Sequence, residues 1–71
     1  MKAQYTGRVV TFDDHRGRGE VEARGGMHFP FHCTAIADGT RSIEVGVEVQ
    51  FEVVPGRLGR WEAARVEPVS A

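Results

Sequence analysis

The side chains with the most chemistry to offer are three histidines, one cysteine and a set of arginines. Histidine and cysteine are the usual ligands of transition metals, so metal binding is the first function to consider. His28 and His32 are four residues apart, which in an extended strand separates them by about 13 Å, too far for one ion. Cys33 is the only cysteine, so the chain has no Cys-x-x-Cys ligand pair. We therefore expect neither a metal site nor another cofactor.

Nucleophilic catalysis is the second function to consider, with Cys33 as the nucleophile. A catalytic thiol needs a base within hydrogen-bonding reach and a further group that orients the base. Neither partner can be assigned from the sequence, and a small packed residue is the simpler interpretation of Cys33. The Gly17-Arg18-Gly19 segment is too short for a phosphate-cradling loop, and no helical pattern follows it. We predict that the protein is not an enzyme.

The arginines suit nucleic-acid binding better, because a guanidinium group pairs with phosphates and stacks on bases. Arg16, Arg18, Arg41 and Arg60 are the candidates. For Arg16 and Arg18 taken singly, a solvated surface of mixed charge is the simpler interpretation. Acids such as Glu20 offset them, and the formal net charge of the chain is −1. Binding by charge alone is therefore not expected. Stacking of bases on aromatic side chains depends less on net charge.

Trp61 and its arginine neighbours form a second candidate surface. Strand alternation places Trp61 opposite Ala64 and Val66, so we expect its side chain to be partly exposed. An exposed tryptophan beside Arg60 suits stacking on a base or anchoring a partner protein. The favoured interpretation is structural, with Trp61 covering an open end of the fold, because a chain this small needs every large side chain.

Alternating apolar residues predict the strands that must position these side chains. The 71 residues are enough for one domain, 1–71, and 41% of them are hydrophobic. Strands are predicted at 7–12, 19–23 and 61–66, with two more in between. The clearest alternation places four apolar residues on one face: Val47, Val49, Phe51 and Val53. The other side chains predicted to face inward are Val9, Val21, Met27, Phe29, Phe31, Ala64 and Val66.

Turn residues separate the predicted strands. Residues 13–17, Gly25-Gly26 and Pro55-Gly56 supply these turns, and the polar segment 35–42 predicts a helical turn and a loop. Five short strands with short links and no long helical pattern predict an all-β fold. The expected architecture is a five-stranded antiparallel barrel that is small and closed.

Four motifs follow one another along the chain. Gly-x-Val-x-x-Phe-Asp occupies Gly7–Asp13, and Arg-Gly-x-Gly-x-Val occupies Arg16–Val21. Phe-x-Phe-His-x-Thr-Ala-Ile occupies Phe29–Ile36, and Arg-Ser-Ile-x-x-Gly-x-x-Val-x-Phe-x-Val occupies Arg41–Val53. In this order and spacing the chain resembles the bacterial cold-shock domain over residues 6–68. The resemblance implies an OB-fold barrel that binds single-stranded RNA or DNA.

The resemblance also implies a platform of aromatic side chains on which bases stack, and most of that platform is absent here. The positions where the family carries aromatic residues hold Thr11, Arg18, Glu20, Pro30, Cys33 and Thr40. Phe12 and His32 remain of the usual set. Each stacking contact contributes about 1–3 kcal/mol, so weaker binding is predicted. Arg18 is the best candidate among the arginines, because it faces a position where the family stacks an aromatic.

The leading interpretation is a cold-shock-like protein that binds single-stranded RNA or DNA weakly or with altered preference. The alternative is a protein-interaction module on the same scaffold that has lost nucleic-acid binding. A continuous positive strip across the first three strands would favour the former, and a broken strip the latter. The residues predicted to contact nucleic acid are Phe12, Arg16, Arg18, His32, Arg41, Arg60 and Trp61.

Location and assembly are also open to prediction. Residues 1–5 carry no apolar run typical of a secretion signal, and a lone cysteine suits a reducing compartment. We therefore expect a cytoplasmic protein without membrane association. We expect a monomer, with a homodimer through an exposed Trp61 as the alternative.

Overall fold

The computed structural model describes residues 4–56 and 59–69. Within these residues the chain forms five β-strands and one 3-10 turn. In chain order these are β1 (Gln4–Asp13), β2 (Arg18–Ala23), β3 (His28–His32), the 3-10 turn (Cys33–Ala35), β4 (Glu48–Pro55) and β5 (Trp61–Pro68). All strand pairs are antiparallel and the order in the sheet is β3-β2-β1-β4-β5. The predicted all-β, five-stranded fold is confirmed, although the helical turn begins two residues before the predicted segment 35–42 and ends at Ala35.

The sheet curls into a barrel whose two edge strands, β3 and β5, approach each other. In the described part of the chain the edges are joined by one parallel bridge between Ile36 and Val66, where the Ala37 N–H donates to the Val66 carbonyl at 2.9 Å. The barrel is therefore present, while the predicted closure is incomplete. No helix in the described ranges has the length and apolar character needed to cross a membrane.

The core is formed by the inward faces of all five strands. Phe29, Phe31 and Phe51 are buried as predicted, and the rings of Phe29 and Phe51 lie 6.0 Å apart at a tilt. Tyr5 lies at the rim of the core, with 41% of its surface exposed, and its ring stacks on that of Phe51 with 5.9 Å between the centroids. The aliphatic and small members of the core are Val9, Val21, Ala23, Ile36, Val49, Ala63 and Val66.

A β-bulge in β5 overturns one prediction about the core. Simple alternation assigned Ala64 and Val66 to the interior, but Ala63 is buried with Val66 while Ala64 is only half-buried. The register shifts between Gln50 and Glu52 of β4, which oppose Glu67 and Ala64. The extra residue on β5 is Arg65, whose φ of 51° lies in the left-handed region. The bulge reverses the face of every residue before it.

Two further predictions fail at strand ends. Met27 was expected to face inward, but β3 begins at His28, and Met27 lies in the preceding turn with 63% of its surface exposed. Gly25 and Gly26 form that turn with positive φ, which glycine adopts without steric cost. Trp61 was interpreted as a cover for the barrel, but it is 57% exposed at the start of β5. The partial exposure expected from strand alternation is therefore observed, and the residue across the ladder from Trp61 is Pro55.

Pro30 occupies the middle of the edge strand β3. Hydrogen bonds from Cys33 N–H to the Gly17 carbonyl and from Ala23 N–H to the Met27 carbonyl mark the bonded positions of the β2–β3 pair. Residues alternate along the strand, so the backbone of Pro30 points away from β2. A proline has no N–H, and this is a strand position where none is needed for the sheet.

Candidate nucleic-acid interface

The outer face of β2 and β3 carries polar side chains because the inner face is committed to the core. Val21, Phe29 and Phe31 point inward, so their neighbours in the two strands point outward. The strand register places these outward residues in three opposed pairs: Arg18 with His32, Glu20 with Pro30, and Glu22 with His28. This face is the one that the sequence predicted to contact nucleic acid.

A groove of about 600 Å³ runs from this face to the beginning of β5. Its polar walls are formed by Arg18 and His32 on one side and by Arg60 and Glu62 on the other. A volume of this size is within the range of small-ligand sites. The groove thus brings together three of the residues predicted from the sequence, and it does so where the edges of the sheet approach each other.

The floor of the groove is apolar. Pro30 and Phe31 contribute to it, next to Gly19. Phe12 lies over Gly19, and its ring stacks on that of Phe31 with 5.9 Å between centroids and 17° between planes. A Cβ on Gly19 would come within 2.9 Å of both rings, so only glycine allows this contact. Phe12 is half-buried, and one face of its ring is already covered by the core.

Phe12 and three other predicted residues lie outside the described lining of the groove. Arg16 is exposed in the turn after β1, where its N–H donates to Asp13 Oδ1 at 3.2 Å. Arg41 is exposed in the loop before β4 with a φ of 62°. Trp61 is exposed beside Arg60. The structure therefore gathers Arg18, His32 and Arg60 in the groove and leaves the other four predicted residues outside its lining.

His32 is held in one orientation by the residue two positions ahead. The Thr34 N–H donates to His32 Nδ1 at 3.3 Å, and the Thr34 hydroxyl lies 3.0 Å from the same nitrogen. Because Nδ1 accepts a hydrogen bond, the neutral ring carries its proton on Nε2. His32 therefore offers an N–H donor to a phosphate or a base.

The side chain of Cys33 packs against the core and does not project into the groove. It lies against the core, and its Sγ is so close to Gly17 that a Cβ there would approach it to 2.8 Å. Its Sγ is 3.8 Å from His32 Nδ1, but that nitrogen already accepts from Thr34. In the described part of the chain no three His, Cys, Asp or Glu side chains are grouped to hold a metal ion.

Two glutamates interrupt the positive charge on the outer face. His28 lies between them, with Nδ1 3.2 Å from Glu20 Oε1 and Nε2 3.6 Å from Glu22 Oε2. An imidazole donates from both nitrogens only when it is protonated, so the charged ring satisfies both contacts. Arg18 lies at the other end of β2, beyond Glu20. The positive strip across the first three strands is therefore broken.

Glu62 is the groove residue that the sequence did not indicate. The predicted alternation, with Ala64 and Val66 inward, also assigns Glu62 to the inner face. The bulge at Arg65 reverses this assignment and places Glu62 at the groove. The signal that was available is chemical, since a glutamate is rarely buried without a partner.

The chain is similar to known proteins in both sequence and structure. A family model described as "'Cold-shock' DNA-binding domain" matches residues 5–69. Cold shock protein CspD of Bacillus subtilis is 44% identical over 54 residues, which are 75% of this chain and 82% of the relative. Cold shock protein CspB of Geobacillus stearothermophilus is 43% identical, with the same coverage of 75% and 82%.

Among solved structures, the fold resembles "drosophila Unr CSD456" with a TM-score of 0.80. The sequence identity is 23%, and the match covers 97% of this chain and 28% of that one. At this identity the likeness concerns the fold, and the family model and the bacterial relatives carry the assignment. The chain therefore belongs to the cold-shock DNA-binding domain family and is a cold-shock-like nucleic-acid-binding protein.

Proposed function

We propose that the protein binds single-stranded RNA or DNA through the groove and the adjoining outer face of β2 and β3. The observation that carries this proposal is the convergence of Arg18, His32 and Arg60 on one groove with an apolar floor. Two guanidinium groups suit phosphates, the His32 Nε2–H adds a donor, and the floor suits a base.

The binding is expected to be weak or altered in preference. Arg18, Glu20 and Pro30 stand where the resemblance implies stacking aromatics, and such contacts contribute about 1–3 kcal/mol per base. Glu20 and Glu22 add negative charge to the outer face, and the chain has a net charge of −1. Phosphates are therefore attracted locally, at the groove, rather than by the protein as a whole.

We also infer that the protein acts by binding and not by catalysis, as a monomer in the cytoplasm. Membership of a nucleic-acid-binding family supports the first inference. The packed position of Cys33 supports it further, since a half-buried thiol without a free base is a poor nucleophile. The lone cysteine supports a reducing compartment.

Titration of fluorescein-labelled single-stranded heptamers at low salt tests the binding. We expect saturable binding, with Arg18→Ala and Arg60→Ala each weakening it severalfold. Each variant that removes a phosphate contact should also reduce the slope of log K against log salt by about 0.7. Arg24→Ala is the matched control, because Arg24 is an exposed arginine of the β2–β3 turn outside the groove. Absence of binding at high micromolar protein would overturn the proposal.

The broken positive strip favours one second candidate, a protein-interaction module that has lost nucleic-acid binding. The Glu20–His28–Glu22 cluster is the observation behind it. This candidate predicts that oligonucleotides leave the amide NMR spectrum unchanged while a pull-down recovers a partner protein. Shifts on oligonucleotide addition at Phe12, Arg18 and His32 would exclude it.

A further inference from the structure

The groove is lined by three charged side chains that do not pair with one another. Arg18, Arg60 and Glu62 all line it, yet within residues 4–56 and 59–69 none of the three forms an ion pair or a side-chain hydrogen bond. Arg18 belongs to β2, whereas Glu62 belongs to β5 and Arg60 directly precedes it, and these two strands are not paired in the sheet. Here each keeps its full hydrogen-bonding capacity toward the groove.

Glu62 packs against the backbone of a neighbouring segment. It is half-buried in β5 opposite Val54, on the face set by the bulge at Arg65. A Cβ on Gly56 would overlap the Glu62 side chain, so that side chain lies directly against the backbone of Gly56. The absence of a side chain at residue 56 provides the space in which the carboxylate rests.

An ionised carboxylate on a nucleic-acid surface is selective about what it accepts. It repels phosphates and accepts hydrogen bonds only, so a bound strand must present a donor to it. In a single strand the Watson–Crick edges of the bases are exposed and supply such donors. Guanine presents N1–H and N2–H side by side, matching the two carboxylate oxygens, whereas thymine presents a single N3–H.

We propose that this groove selects a guanine base of the bound strand. Glu62 accepts from guanine N1–H and N2–H, the ring lies on Pro30, and Arg18 and Arg60 hold the flanking phosphates. The inference rests on the proposed function and adds a base preference to it. In this arrangement the opposite charges of the groove have separate roles. The base binds the carboxylate, and the phosphates of the nucleic-acid strand bind the guanidinium groups.

Four DNA heptamers test the preference by fluorescence anisotropy. One contains only thymine, and the others carry at the centre guanine, hypoxanthine or 7-deazaguanine. We expect guanine to raise the affinity about tenfold over thymine, a typical gain for a bidentate contact to a base. Hypoxanthine lacks the N2 amino group and should lose most of this gain, whereas 7-deazaguanine keeps both donors and should retain it.

The near-isosteric variant Glu62→Gln assigns the preference to the groove. It should remove the advantage of the guanine heptamer and leave or raise the affinity for the thymine heptamer. Glu67→Gln changes the same charge at an exposed position of the same strand and should keep the preference. Circular dichroism verifies that both variants are folded.

The outcomes separate the two proposals. If wild-type protein binds all four heptamers equally, or if Glu62→Gln and Glu67→Gln change every affinity alike, the selection of guanine is overturned and the proposed function stands. If wild-type protein binds none of the heptamers, the proposed function fails, and the inference fails with it.

Discussion

Asp38 and Thr40 form a hydrogen-bonded turn in the loop that leads to β4. The Thr40 N–H donates to Asp38 Oδ1 at 3.0 Å, and the Thr40 hydroxyl lies 2.8 Å from the same oxygen. The backbone donor first, and the hydroxyl second, hold the pKa of Asp38 below its ordinary value of 3.8. Hydrogen bonds to a carboxylate favour its charged form.

This turn gives a pH prediction. The pKa of Asp38 is lower in the folded state, so its contribution to stability is present above pH 3.8 and is lost as the pH falls through the folded pKa. Thr40→Val removes the hydroxyl donor and keeps the N–H. We expect the pKa of Asp38 to rise toward 3.8 without reaching it, as measured by NMR titration of its carboxyl carbon. Thr40→Ser should keep the wild-type value, and an unchanged pKa in Thr40→Val would contradict the prediction.

At the residue scale, the sequence predicted the basic side chains of the groove but not its acid. Arg18, His32 and Arg60 were found because arginine and histidine suit phosphates and bases wherever they lie on the surface. Glu62 was missed because its face depends on a backbone irregularity. The type of a residue indicates which groups it can bind. The face of the sheet on which Glu62 lies could be determined only from the structure.

At the scale of elements, the bulge at Arg65 determines what β5 presents to each side. Arg65 adopts a φ of 51°, which costs a residue with a Cβ about 1–2 kcal/mol. Its Nε lies 3.8 Å from Glu52 Oε2, in a long ion pair between an arginine side chain that is 70% exposed and a glutamate side chain that is 13% exposed. Two variants that both remove this contact differ only in how well they tolerate the backbone conformation. The backbone conformation is therefore the feature to perturb.

Arg65→Val should destabilise the protein, because a β-branched residue is poorly tolerated in the left-handed region. We expect the free energy of unfolding to fall by about 1–2 kcal/mol relative to Arg65→Asn, measured by urea denaturation. Arg65→Asn loses the same contact with Glu52 but tolerates positive φ, so it isolates the backbone effect. Equal stability of the two variants would mean that the bulge relaxes in solution.

Regular strands were predictable and irregular ones were not. Phe29, Phe31 and Phe51 follow a strict period of two and were assigned correctly to the core. Ala63 and Ala64 are identical in type, so no side-chain preference distinguishes them, and only the extra residue at Arg65 decides which one is buried. The alternation of apolar and polar residues along a strand does not reveal where a β-bulge inserts an extra residue.

At the scale of the whole molecule, the groove is a product of topology. Arg18 and His32 belong to the β2–β3 hairpin, whereas Arg60 and Glu62 lie at the other edge of the sheet. They meet because the five-stranded sheet curls until its edges approach each other. The sequence indicated such a barrel through its short strands and turns, but the proximity of these two edges became visible only in three dimensions.

The proline in β3 has a consequence for behaviour at high concentration. A free strand edge offers a row of backbone groups with which another molecule can pair, and this pairing begins many aggregates. Pro30 interrupts the row on β3, since it has no N–H to offer there. We expect Pro30→Val to keep the fold but to aggregate faster, measured by light scattering and thioflavin T fluorescence. Thr11→Val adds a similar apolar side chain to the paired strand β1 and is the control. If both variants stay equally dispersed, the edge is protected by other means. If only Pro30→Val aggregates faster, Pro30 keeps copies of the protein apart in addition to lining the groove.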